Sequence, residues 1–124
     1  MNGVLNVYKE QGFTSHDVVA KLRGILKTKK IGHTGTLDPD AVGVLPVCIG
    51  KATKLCDLIT DWGKTYEAVM LLGTTTDTLD ISGKIVAQSE VNVSEVDVLK
   101  ACNEFIGEYE PVSYTHLRAH ETCA

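Results

Sequence analysis

Apolar and polar positions alternate through "GVLNVYK" at Gly3–Lys9, with Val4, Asn6 and Tyr8 on one side and Leu5 and Val7 on the other. A period of two predicts a strand. After the turn "EQGF" the period lengthens. Val18, Val19, Leu22, Ile25 and Leu26 recur at helical spacing. They follow Thr14-x-x-Asp17, a capping-box-like start in which Asp stands for the stronger Glu. Gly24 inside this helix costs about 1 kcal/mol relative to Ala. "VLPVCIG" reads as a short apolar strand with Pro46 at or near its start. "KATKLCDLITDW" predicts a second helix through Ala52, Leu55, Leu58, Ile59 and Trp62. Residues 64–73, "KTYEAVMLLG", are the strongest strand candidate. "TTTDTLDISG" is polar and turn-rich, and "KIVAQSE" is another strand. Ser94-x-x-Asp97 then caps a helix with Val96, Leu99, Cys102, Phe105 and Ile106 on one side. The resulting order, strand–helix–loop–strand–helix–strand–turn–strand–helix, has no repeat and predicts an α+β or mixed-sheet fold.

One segment fits neither period. "GHTGTLDPDAVGVLP", Gly32 to Pro46, holds three glycines and places Asp38 before Pro39. Loops of this kind lie at the surface, where catalytic groups concentrate. The residues alone favour a plainer role for Asp38, a turn-forming Asp ahead of Pro. The segment lacks the Gly-Lys-Ser/Thr of a phosphate-binding loop and is not a G-x-G-x-x-G turn. There is no Gly-x-Ser-x-Gly elbow. Asp38 and Asp40 alone do not supply a metal site.

At 124 residues the chain is one domain or part of one. No apolar run approaches membrane-spanning length, and no secretory leader is expected. Cys48, Cys56, Cys102 and Cys123 form no CxxC pair and have no His at zinc-finger spacing. Free thiols in a reducing cytosol are expected, hence a cytoplasmic protein. The net charge of −4 hides an asymmetry. Residues 1–54 carry eight Lys/Arg and four Asp/Glu, the remainder four and twelve. A basic part suggests a polyanion partner, although Lys27, Lys29 and Lys30 also suit the end of the first helix. The last residues, "VSYTHLRAHET", fit no preceding pattern and resemble the translation of a sequencing adapter. A non-native tail at 111–124 is therefore expected, and its His116 and His120 carry no metal-site argument.

The Gly32–Pro46 segment and its continuation resemble the signature of the TruB-type tRNA pseudouridine synthases, close to G-H-x-G-x-L-D-P-x-A-x-G-x-L-P-x-x-x-G-x-A-T-K. Gly32, His33, Gly35, Leu37, Asp38, Pro39, Ala41, Gly43, Leu45, Pro46, Gly50, Ala52, Thr53 and Lys54 match it without a gap. Upstream, "GVLNVYKEQGFTSHDVV" is similar to the family opening G-x-L-x-x-x-K-P-x-G-x-T-S-x-D-V, with Glu10 where proline is usual. Downstream, "KTYEAVMLLGTTTDTLDISG" is similar to K-x-Y-x-x-x-x-x-G-x-x-T-D-T-x-D-x-x-G. The resemblance covers residues 1–110, the N-terminal part of a catalytic domain. It implies an incomplete pseudouridine synthase fold: α+β, with a mixed, largely antiparallel sheet and flanking helices. In the longer family members the remainder carries further strands, an arginine that pairs with the catalytic acid, and an RNA-binding domain.

The resemblance implies that Asp38 is the catalytic aspartate of a tRNA pseudouridine-55 synthase. Such an enzyme breaks the C1′–N1 bond of the T-loop uridine, turns the base, and rejoins it through C5. A carboxylate serves as nucleophile or base, and a stacked uridine must first be flipped out. Tyr66 corresponds to the residue that stacks on the flipped base. His33 corresponds to the one that fills the vacated space and holds the T-loop. Lys9 corresponds to a substrate-side lysine that touches the phosphate backbone or braces the loop. The expected partner is the tRNA T-arm, with no cofactor, no metal, no membrane and no obligate protein partner; the full-length form is expected to be a monomer. Two other readings stand beside this one. One is a non-catalytic RNA-binding or RNA-folding module; the other is a synthase acting with a guide RNA.

Overall fold

The computed structural model of the chain describes residues 1–109; the tail expected at 111–124 lies outside them. The chain divides into two compact units, Met1–Glu67 and Ala68–Ala124. The fold is α+β, and every strand pair among the described residues is antiparallel.

The first unit contains β1 (Gly3–Lys9), α1 (Ser15–Leu26), β2 (Ile31–His33), β3 (Gly43–Ile49), a 3-10 helix (Gly50–Leu55) and α2 (Cys56–Thr60). Its sheet has the order β1-β3-β2. The alternation in β3 places Leu45, Val47 and Ile49 on one face, buried with Val18 and Val19 of α1 and Ile31 of β2. Cys48, on the opposite face, is also fully buried. A strand covered on both faces reads as a continuous apolar run, which is how "VLPVCIG" presents itself. Burial pushes the Cys48 thiol up to about 11, with a hydrogen bond to Cys56 adding to the effect.

Pro46 lies in the middle of the central strand, not near its start, and the register explains why it is tolerated. Gly50 N–H donates to the Lys30 carbonyl and Thr34 N–H to the Pro46 carbonyl. Residues 46, 48 and 50 of this stretch therefore direct their backbone groups toward β2, and 45, 47 and 49 toward β1. The N–H that proline lacks would have met Thr34. The β2–β3 ladder stops one residue earlier, at His33↔Val47, and the chain leaves the sheet. β2 itself is only three residues long, too short to show a period in sequence.

α1 begins as its sequence indicates. Thr14 Oγ1 accepts from Asp17 N–H at 3.0 Å, and the Asp17 carboxylate accepts from Thr14 N–H at 2.8 Å. After β3 the chain turns at once, because Gly50 adopts φ +63°. A side chain there would lie 2.5 Å from the Met1 carbonyl, so only glycine fits. The predicted second helix is broken into the 3-10 helix and the short α2. Thr53 Oγ1 donates to the Gly50 carbonyl three residues back at 2.9 Å, a local bond that competes with α-helical pairing.

The second unit contains β4 (Thr74–Thr76), β5 (Ile85–Gln88) and α3 (Glu95–Glu104). Ser94 and Asp97 cap α3 reciprocally. The turn between β4 and β5 is shaped by acids. The Asp80 carboxylate accepts from Ser82 Oγ, Ser82 N–H and Thr78 Oγ1, and Asp77 accepts from Lys84 N–H at 2.8 Å. Residues 64–73 form no strand. Val69 is 96% exposed, and Met70 and Leu71 are exposed too. An apolar strand needs a neighbour to take its backbone bonds, and among the described residues this segment joins no sheet, its one backbone bond to a strand-flanking residue being Ser89 N–H on the Gly73 carbonyl.

The two capping boxes give the fold an acid limb. The Asp17 carboxyl is held below its ordinary value chiefly by the Thr14 hydroxyl and then by the Thr14 N–H. Asp97 is lowered in the same way by Ser94. A depressed folded-state value contributes stability that is present above the unfolded carboxyl value of about 3.9 and is lost as pH falls through the folded one. Helical circular dichroism is expected to fall on acidification below about pH 4. In Asp17→Asn/Asp97→Asn that acid-dependent step is expected to shrink; an unchanged step would remove these caps from the account.

Candidate functional site

Once β2 ends, the loop toward β3 is tied down residue by residue. Buried Thr34 donates to the Pro46 carbonyl through both its N–H and its Oγ1, each at 3.1 Å. Ser15, the first residue of α1 and also buried, accepts from Leu37 N–H at 2.9 Å. Leu37 packs its side chain against the core. Asp38 and Pro39 then form a tight turn closed by Ala41 N–H on the Asp38 carbonyl at 3.0 Å, with proline at its preferred second position. The Pro39 carbonyl accepts from Gly12 N–H at 2.8 Å and from Lys9 Nζ at 3.3 Å. The backbone on either side of Asp38 is thus fixed from α1 and from the β1–α1 turn. The Asp38 side chain itself is exposed. Among the described residues no group donates a hydrogen bond to its carboxylate.

Tyr66 is 67% exposed and lies in an irregular segment, not in the predicted strand. It shares a cavity of about 340 Å³ with Thr36 and Leu37 of the loop, Val44 and Pro46 of β3, and Trp62. Leu37 immediately precedes Asp38, so one cavity wall continues into the turn that carries the acid. Trp62 and Lys64 line it as well. Neither was singled out from the sequence for this wall, although the "WGKTY" run was the available signal.

His33 ends β2. Its Nδ1 donates to the Gly35 carbonyl at 2.7 Å, which leaves Nε2 as the ring nitrogen outside that bond. Its ring meets the His16 ring edge-on, with centroids 5.6 Å apart. His33 lines a second cavity with His16 and Arg23, separate from the one lined by Tyr66. Among the described residues no three His, Cys, Asp or Glu side chains converge to hold a metal ion.

Lys9 lies at the end of β1. It is completely buried, and its ammonium donates to the carbonyls of Phe13, Glu10 and Pro39. Of the two roles its position suggested, the geometry is that of a brace, because no face of the ammonium is offered to a phosphate. A buried charge is sustained here by carbonyl dipoles, of which the Pro39 carbonyl keeps a second donor in Gly12 N–H. Ser15 was missed as a site-building residue. Its place in the "TSHD" cap pointed to the helix start, not to a bond 22 residues away.

Replacing Lys9 by Met keeps the alkyl stem and removes the donor. The Lys9→Met variant is expected to lose about 1–3 kcal/mol of stability in urea titration. Faster hydrogen exchange is expected at Gly12 N–H, whose acceptor shares the brace. Unchanged exchange at Gly12 would mean that Lys9 does not hold the loop.

An α+β unit that presents an unpaired carboxylate on a pinned, Gly-framed turn beside an aromatic-lined cavity has the makings of an enzyme site. Residues 23–116 match the family model described as TruB family pseudouridylate synthase (N terminal domain). The chain belongs to that family. The tRNA pseudouridine synthase B of Lachnoclostridium phytofermentans is 80% identical over 73 residues, 59% of this chain and 24% of that protein. The protein of the same name from Staphylococcus haemolyticus is 52% identical over 124 residues, covering 96% of this chain and 41% of that protein. A chain in the solved "Structure of H/ACA RNP bound to a substrate RNA containing 2'-deoxyuridine" is 52% identical over 45% of this chain and 18% of its own length, with a TM-score of 0.44. The chain thus spans less than half the length of the curated relatives it matches.

Proposed function

We propose that this chain contributes the catalytic loop of a tRNA pseudouridine synthase acting on the T-loop uridine, position 55, with Asp38 as its catalytic carboxylate. The observation that carries the reading is the contrast at the turn. The backbone around Asp38 is fixed by Ser15, Gly12 and Lys9, while its carboxylate is exposed and takes no bond from the described residues. A turn that needed its Asp only for structure would use that carboxylate on nearby N–H groups, as Asp80 does. The family membership and the names of the relatives supply the reaction class.

In that reaction the C1′–N1 bond breaks, the uracil turns, and C1′ bonds to C5. The hydrogen on C5 leaves to water and N1 gains one, so the net change is an isomerisation. Asp38 acts on the flipped nucleotide as nucleophile or base, for which it must be ionised. A rigid turn keeps the carboxylate in place while the base moves. Tyr66, exposed at the cavity wall, offers a ring on which the extruded uracil stacks. His33 is held by Gly35 at Nδ1, and its Nε2 is the ring atom that would meet the RNA. The competing reading is a non-catalytic RNA-binding module, which would have no use for the Asp38 carboxylate.

The test uses a full-length protein carrying this sequence and a T-arm RNA tritiated at C5. Asp38→Asn preserves size and turn geometry. It is expected to abolish tritium release while RNA binding persists. Turnover like that of the unaltered protein would sink the assignment, and no turnover by either protein would favour the binding module.

Tyr66 is separable from Asp38. Tyr66→Phe is expected to keep base stacking and Tyr66→Leu to lose it, a difference of about 1–3 kcal/mol. The readout is affinity for a T-arm RNA whose target base is already unpaired. Equal affinity for the Phe and Leu variants would leave Tyr66 without a stacking role.

A further inference from the structure

The cavity lined by His33 lies along the edge of β2 that no strand covers among the described residues. β2 is an outer strand in the order β1-β3-β2. Because Gly32 and Thr34 direct their backbone groups toward β3, Ile31 and His33 direct theirs away from the sheet. The Ile31 carbonyl on that edge is taken by Arg23 Nη2 at 3.4 Å. That leaves the His33 N–H as an edge donor with no partner among the described residues. Arg23 and His16 of α1 stand on one side of this edge, Thr53 and Cys56 on the other, and Lys29 and Lys30 where the chain enters it. The cavity measures about 480 Å³. Among the described residues no carboxylate lines it.

We infer that this groove holds a backbone phosphate of the RNA strand, with Arg23, Lys29 and Lys30 supplying the charge and the His33 N–H a fixed donor. The inference rests on the proposed reading of the chain as an RNA-modifying enzyme and adds a second contact region to it. An anion is the ligand that suits three cations, an open backbone N–H and no acid. A polymer suits them better than a free anion, because the groove is an open channel along a strand edge and shares His33 with the residues assigned to the target nucleotide. Phosphate contacts of this kind position a strand without reading its sequence. Holding the RNA backbone here would fix the register in which the target uridine meets Asp38. A short edge strand is also a docking place for an extended peptide. The flanking cations favour RNA.

The experiment measures binding of a T-arm hairpin RNA to the full-length protein across a salt series. Lys30→Gln and Lys29→Gln/Lys30→Gln are compared with Lys21→Gln. Lys21 lies over the Phe13 ring, outside the groove, so its replacement removes the same charge elsewhere. Each groove lysine that meets a phosphate is expected to lower the slope of log affinity against log salt by about 1. Affinity is expected to fall several-fold, while Lys21→Gln leaves both nearly unchanged. Equal losses for Lys21→Gln and Lys30→Gln would show a diffuse charge effect and overturn the groove. So would an unchanged slope in the double variant, the result expected if the edge instead recruits a peptide. Asp38→Asn, tested for turnover in parallel, separates the two claims. Its retained turnover would remove the proposed mechanism without touching the slopes, and altered slopes alone speak only to the groove.

Discussion

Proline has no N–H to give, and the architecture of the first unit turns on where that deficit falls. In a central strand it would ordinarily leave a neighbouring carbonyl without a donor. Here Pro46 faces Thr34, and the Pro46 carbonyl accepts both the N–H and the hydroxyl of that residue. The ladder has no return bond to continue with, so β2 ends at His33 and the chain is released from the sheet. The released segment is the one that carries Asp38. Its starting point is set to within a residue by the sheet register, and its path is then taken over by side chains of other elements.

Those side chains divide the work sharply. Ser15 at the start of α1 and Lys9 at the end of β1 are buried, and both spend their polar atoms on the loop backbone. Asp38 is exposed, and its carboxylate receives nothing from the described residues. Satisfying the backbone while leaving one acid unsatisfied is costly only if the acid is buried. At the surface it is affordable, and it leaves a charged group on a stiff support. Asp80 shows the opposite arrangement in the second unit. Ser82 and Thr78 direct three donors at one oxygen of its carboxylate, and its value is lowered chiefly for that reason.

Local chemistry was legible in the chain. Thr14 with Asp17 and Ser94 with Asp97 announced two helix starts, because a capping box involves atoms three residues apart. β1, β3 and β5 were visible in their apolar patterns, and the "GHTGTLDPD" motif marked the loop that carries Asp38. What failed depended on distant partners. Residues 64–73 have strand composition but no strand neighbour among the described residues. β2 and β4 have neighbours but are too short for a pattern. The position of Pro46 within β3 was decided by which edge lay opposite Thr34.

The sequence by itself determined the caps, the apolar runs and the identity of the loop, since each is written in residues close together along the chain. Tertiary structure decided the roles of Lys9 and Ser15. A lysine in a motif reads as a cation available to a phosphate. It becomes a brace only when the Phe13 and Pro39 carbonyls are brought to it. The bond from Ser15 to Leu37 likewise exists only after the strands have paired, because hydrogen-bond donors and acceptors find distant partners through the fold and not through sequence neighbourhood.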